Sequence, residues 1–186
     1  LPSSDASAME RYVRGFNYPP EPMVKSMQDL PLLGVKTYFC SNVCAAYRRS
    51  SYDEAGGFIE RTIFNEDMIL AAALIKKGYA ISYTANAKVY HSHNYTCRQQ
   101  FKRNFDIAVS QMEHPEVFRG LSSEDEGVRL VKGCIRHLAE SGRPYLIPGF
   151  ILNCAARFMG FRAGKKYKYM PAGLRKALSS QPSYWD

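Results

Sequence analysis

Asn65-Glu66-Asp67-Met68-Ile69-Leu70-Ala71-Ala72-Ala73-Leu74-Ile75-Lys76-Lys77-Gly78-Tyr79 is the stretch on which the reading of this chain turns. Met68, Ile69, Ala72, Leu74 and Ile75 form an apolar stripe, and Lys76-Lys77-Gly78 supplies a basic last turn and a glycine stop, so the spacing predicts a helix from Asn65 onward. Two carboxylates, Glu66 and Asp67, stand in its first turn. The unpaired N–H groups and the macrodipole of any helix favour acids there. The same dipoles would hold Asp67 ionised, which is what a general base taking a proton from an attacking hydroxyl requires.

Downstream, Ala80–Tyr83 and Lys88–Tyr90 read as two short strands joined by Thr84-Ala85-Asn86, the second running into His91-Ser92-His93. In extended backbone the two imidazoles share one side, as metal ligands do, and as ordinary surface histidines also do. A helix over Arg98–Gln111 follows, and its Arg98, Gln100, Lys102 and Arg103 are either donors for a phosphate or sugar or a solvated face. A further helix is expected to start at Ser122 or Ser123. Upstream, Asp5 or Ser4 caps a helix over Ala6–Arg14, and Asn17-Tyr18-Pro19-Pro20-Glu21-Pro22 forces an extended connector. Val35–Phe39 reads as a strand, Val43–Arg48 as another apolar segment, and Ser51–Ala55 as a short helix ended by Gly56-Gly57. Helix and strand interleave through about residue 95 and helix alone follows, which is an α/β body with a helical extension.

The 186 residues are 46% hydrophobic and 23% charged, enough apolar material for a folded core and too little in any one run for a membrane-spanning helix. Five cysteines without a CxxC pair predict neither a disulfide framework nor a zinc knuckle, and a reducing compartment fits them. The net charge of +8 is concentrated: residues 143–186 carry eight Lys or Arg and a single acid, Asp186, while the first 142 are nearly neutral. Beside that charge stand Phe150, Ile151, Phe158, Met159 and Phe161. Such a combination marks an in-plane membrane anchor, or a helix whose apolar side packs on its own domain.

The order of these features resembles the second half of a bacterial family 2 glycosyltransferase, with rhamnosyltransferase-like members most alike. The resemblance rests on Ser41-Asn42, Ala46-Tyr47-Arg48-Arg49, Gly56-Gly57-Phe58, Asn65-Glu66-Asp67, Gly78-Tyr79, Ala87 to His93 and Gln100 to Arg103, and on the endings Gly160 to Gly164 and Leu178 to Trp185. It implies an α/β fold, the C-terminal portion of a GT-A type nucleotide-sugar transferase, followed by a helical C-terminal extension. Residues 1–115 then form the acceptor-side part and residues 116–186 the basic extension.

The resemblance places the catalytic base on Asp67 with Glu66 beside it, and the metal-binding histidine on His91. It assigns donor or acceptor binding to Ser41, Asn42, His93, Arg98, Gln100 and Arg103. Asn104 stands where processive relatives have tryptophan, which argues against a polymerase. No Asp-x-Asp motif occurs, so the N-terminal donor-binding half is expected to be absent from this chain. The implied reaction is inverting transfer of a sugar, rhamnose by likeness, from a nucleoside diphosphate donor to a glycan or lipid-linked acceptor, with Mg2+ or Mn2+ as cofactor. The implied location is cytoplasmic, peripheral on the inner face of the cell membrane, with no nucleic-acid partner. The competing reading is a non-enzymatic basic module that binds anionic lipid or nucleic acid through residues 143–186.

Overall fold

The structure, a computed structural model, describes residues 1–121 and 124–186. In chain order its elements are α1 (Ala8–Asn17), β1 (Met23–Lys25), α2 (Leu30–Leu33), α3 (Arg49–Glu54), α4 (Glu66–Lys76), β2 (Ile81–Tyr83), α5 (Cys97–Glu113), α6 (Pro115–Phe118), α7 (Glu124–Glu140), α8 (Ile147–Gly164) and α9 (Ala172–Leu178), with short 3-10 turns between them. Helices dominate, and the described residues contain one sheet of two strands. The chain packs as two compact units that interleave in sequence. The first comprises Leu1–Glu60, Glu66–His93 and Gly120–Cys134, and the second Arg61–Asn65, Asn94–Arg119 and Ile135–Asp186.

In the first unit β1 and β2 pair antiparallel, with Met23 opposite Tyr83 and Lys25 opposite Ile81. The strand expected at Val35–Phe39 is instead a 3-10 helix over Gly34–Tyr38 that buries Thr37 and Tyr38, and the true partner of β2 lies just past the prolines. Lys25, inside that strand, is buried and donates from Nζ to the carbonyls of Lys36, at 3.0 Å, and Phe39. Burial drops its pKa to about 8. The apolar segment expected over Val43–Arg48 contributes a 3-10 turn at Asn42–Cys44 and no strand.

Lys88–Tyr90 likewise forms no strand. Its backbone bonds instead to that of Leu1, whose amine donates to Val89 O at 2.6 Å and whose carbonyl accepts from His91 N at 2.9 Å. Two such bonds are too few for a ladder. Ser7, not Asp5 or Ser4, caps α1, accepting from Glu10 N at 3.1 Å. The cap expected at Ser122 or Ser123 lies outside the described residues.

α4 forms as the spacing predicts, but its burial is wider than one stripe: Leu70, Ala71, Ala72, Leu74 and Ile75 are all buried. A helix this apolar around its circumference must be covered on most sides.

The second unit is built on a seam between α5 and α8. Gly160 and Gly164 lie on the buried side of α8, so close to α5 that an added Cβ would stand 2.1 Å from Phe101 O and 2.3 Å from Phe105 O. Glycine at these two positions is what lets the two backbones meet. Against the seam Ile63, Phe105, Val109 and Tyr167 form a core, joined by Phe64, Leu178, Tyr184 and Trp185. The C-terminal segment is latched by polar bonds: buried Asp106 accepts from Ser180 N at 2.8 Å and from its hydroxyl, Lys102 Nζ donates to Ser179 O at 3.1 Å, and Gln181 Nε2 donates to Ile63 O at 2.9 Å.

Candidate active site

The first unit brings three of the expected groups, Asn42, Glu66 and Asp67, together. Asn65, buried and in the left-handed region at φ 64°, turns the chain into α4, a conformation asparagine tolerates better than most residues. That turn sets Glu66 and Asp67 at the helix start. Asp67 Oδ1 accepts from Met68 N at 2.8 Å, and the carboxylate also accepts from the backbone N–H of Asn42. Asn42 Nδ2 donates to Glu66 Oε1 at 3.3 Å. So the Ser41–Asn42 turn and the acidic helix start, 24 residues apart in sequence, are one cluster.

Burial pushes the Asp67 carboxyl above its ordinary pKa, and the negative charge of Glu66 pushes the same way; the N–H bonds from Met68 and Asn42 oppose both without cancelling them. A carboxylate raised in this manner is a better base than a solvated one.

Tyr47 completes the cluster, and no role had been read for it. Its hydroxyl donates to Asn42 Oδ1 at 2.8 Å and lies 3.7 Å from Cys40 Sγ. Burial first, then Cys40 and the two carboxylates, push its pKa well up, so it stays a neutral donor. By occupying Asn42 Oδ1 it fixes the amide with Nδ2 toward Glu66. The ring packs edge-on against Phe58 and Tyr52, with centroids 5.6 and 6.2 Å away. The only sequence signal was its place in the Ala46 to Arg49 landmark.

His91 and His93 form a second group. Their rings are perpendicular with Nε2 atoms 3.0 Å apart, and His93 N donates to Glu10 Oε1 at 3.4 Å. Among the described residues no three His, Cys, Asp or Glu side chains are grouped to hold an ion. Two imidazoles do not meet the oxygen-rich, six-ligand demand of Mg2+ or Mn2+. The described residues therefore do not fit that cofactor on their own.

Arg98, Gln100 and Arg103 belong to the second unit, on α5. The helix is opened by Thr96, which accepts from Gln99 N at 3.3 Å while Gln99 Oε1 accepts from Thr96 N at 2.9 Å. Arg98 is exposed and Gln100 buried. The Arg103 guanidinium lies 4.5 Å over the Phe64 ring and 5.5 Å from that of Tyr95, a packed cation holding the start of the unit together.

Two curated proteins are similar to the chain over its whole length: the O-antigen chain rhamnosyltransferase WbaN of Salmonella anatum, 43% identical over 187 aligned positions, and the O-antigen chain rhamnosyltransferase RfbN of Salmonella typhimurium, 42% identical. The chain spans 59% of the length of each. No family model and no solved structure matches it.

Proposed function

We propose that this chain is the acceptor-side part of an inverting family 2 glycosyltransferase of GT-A type that moves rhamnose from a nucleoside diphosphate donor to a hydroxyl of a surface glycan or lipid-linked acceptor. Likeness to two O-antigen chain rhamnosyltransferases supports the reaction class. The observation that carries the assignment of roles is the cluster of Asn42, Tyr47, Glu66 and Asp67, because it joins a raised-pKa carboxylate to a turn that is 24 residues distant in sequence.

Asp67 takes the proton of the acceptor hydroxyl as that oxygen forms its bond to the anomeric carbon. The bond from that carbon to the diphosphate breaks with its electron pair leaving on the phosphate oxygen, so the configuration inverts. Glu66 keeps the neighbouring charge that holds the Asp67 carboxyl basic, and Asn42 fixes both carboxylates, one by its side-chain amide and one by its backbone N–H. Tyr47 holds Asn42 in that orientation. The donor nucleotide binds outside these residues, in the part of the protein beyond this chain.

The test is Asp67→Asn in the complete enzyme, with rhamnosyl transfer to acceptor followed by radiolabel. The amide keeps the shape and loses the basicity, so transfer falls by about 100-fold or more while donor affinity changes little. Near-normal turnover refutes the assignment.

A further inference from the structure

α8 carries apolar side chains on two opposite sides, and the seam with α5 accounts for only one. Phe150, Ala156, Gly160 and Gly164 lie on the buried side. Ile151, Leu152, Phe158 and Met159 lie on the other and are 51, 61, 64 and 53% exposed. At about 100° per residue these four, with Pro148, Ala155 and Arg162, fall in one arc of about 120° over the length of the helix. Phe150 therefore leaves the set of five apolar residues read above as an anchor, and Phe161 is only partly exposed. Leu152 takes their place. The two glycines fix which side faces out, since rotating the helix would drive a Cβ into the α5 carbonyls.

An outward stripe of four large apolar side chains is not the ordinary scatter of exposed leucines on a protein surface. Its surroundings identify its partner. Arg162 sits within the arc, its guanidinium 5.9 Å from the Phe158 ring, and Lys165, Lys166 and Lys168 follow at the end of the helix, all exposed. From Ser141 to Trp185 there is no acidic side chain. Long cationic side chains lie along an apolar surface with their heads in a polar layer, which is the arrangement an anionic headgroup region accepts. No helix among the described residues is long and apolar enough to cross a membrane.

We propose that the outward face of α8 is a docking surface for an anionic lipid bilayer, with Ile151, Leu152, Phe158 and Met159 entering the headgroup boundary and Arg162, Lys165, Lys166 and Lys168 meeting the lipid phosphates. The proposal goes beyond the glycosyl-transfer reading and does not rest on it, because partition is measured without donor or acceptor.

The experiment is cosedimentation of the intact chain with vesicles of phosphatidylcholine alone and of phosphatidylcholine with phosphatidylglycerol. Each cation near an anionic surface contributes about 1 kcal/mol at low salt, so partition onto the anionic vesicles exceeds that onto the neutral ones by about tenfold or more. It falls by a similar factor between about 50 and about 500 mM NaCl as the Debye length shortens. Phe158→Ser with Met159→Ser removes most binding to anionic vesicles, and Lys165→Gln with Lys166→Gln weakens it while flattening its salt dependence. All four positions are exposed, and a melting curve matching the parent's shows that the fold is intact. If one pair destabilises the chain, the other pair still decides. Absence of binding to either vesicle overturns the proposal, as does binding that neither pair alters. A dimer in sedimentation equilibrium that Phe158→Ser with Met159→Ser disperses, with no lipid binding, assigns the face to a second copy of the chain instead.

Discussion

Replacing Gly160 by alanine tests the α5–α8 seam on which the second unit rests. The new Cβ would stand 2.1 Å from Phe101 O, and at Gly164 it would stand 2.3 Å from Phe105 O, whereas ordinary contact begins near 3.4 Å. The helices must then separate by about 1 Å, because the obstacle in both cases is backbone and has no rotamer to change. Overpacking of this kind costs about 1–3 kcal/mol, and the better helix propensity of alanine returns about 1 kcal/mol at most. With the cost in the upper part of that range, a net loss of about 1–2 kcal/mol lowers Tm by about 2–8 °C for a chain of this size.

Two glycines in the same protein calibrate the result. At Gly149, also in α8, an added Cβ would meet nothing within 4 Å outside its own helix, so Gly149→Ala leaves Tm unchanged or raises it slightly. A Cβ at Gly133 would meet the far end of the Tyr12 side chain, its hydroxyl at 2.1 Å, which can swing away, so Gly133→Ala falls between. Thermal melts by circular dichroism give the order Gly149→Ala, Gly133→Ala, Gly160→Ala from most to least stable. A Gly160→Ala protein as stable as Gly149→Ala would mean that the helices do not meet at the distance seen.

Lys25 predicts a pH effect: with its folded pKa near 8 against an ordinary 10.5, the unfolded chain holds a proton the folded chain has lost between those values, so this group makes stability rise with pH across that window. Urea melts at about pH 7.5 and about pH 9.5 compare the parent with Lys25→Met, and equal pH dependence in the two refutes a buried, depressed lysine. Above about pH 10 the slope reverses, because Tyr167 and Tyr184, both pushed up to about 12, stay protonated in the fold while unfolded phenols ionise. Asp106→Ala leaves the Ser180 N–H without its acceptor and costs about 1–3 kcal/mol, whereas Asp106→Asn, which keeps an acceptor oxygen, costs less; equal losses in urea melts would show that the latch does not depend on that bond. Tyr47→Phe lowers rhamnosyl transfer by about tenfold in the complete enzyme with little change in Tm, as loss of one orienting hydrogen bond requires; unchanged transfer removes Tyr47 from the site. The 186-residue chain alone binds thymidine diphosphate with manganese weakly or not at all in calorimetry, and micromolar binding would place the donor pocket within it.

What could be read from sequence was local, and what could not be read depended on partners distant in the chain. α4 was legible because propensity, a basic last turn and Gly78 all agree over eleven residues. Its acids were legible as a pair, but not their link to Asn42, which a 3-10 turn far upstream delivers. Val35–Phe39 has the β-branched and aromatic composition of a strand, yet burying Thr37 and Tyr38 against the first unit draws it into a tight helix, and packing outranks a propensity worth about 1 kcal/mol at most. The strand Met23–Lys25 escaped notice because three residues after a proline run carry no period, and its buried lysine reads as exposed until the carbonyls of Lys36 and Phe39 are found around it.

The same limit decides the two basic regions. The stacking of Arg103 on the aromatic faces of Phe64 and Tyr95, 39 and 8 residues upstream, is reported by no helical period. In α8 the sequence presents nearly continuous apolar character, and a helix that is apolar all round has no preferred inward side until something breaks the symmetry. Gly160 and Gly164, four residues apart and hence on one side, break it. They read as mere weak points of a helix when taken singly, and as a contact seam once α5 is seen against them. The outward stripe follows from that seam, which makes the seam's glycines and the exposed Phe158 and Met159 parts of one arrangement: a substitution that rotates α8 on α5 disturbs the stability of the second unit and the surface it presents together.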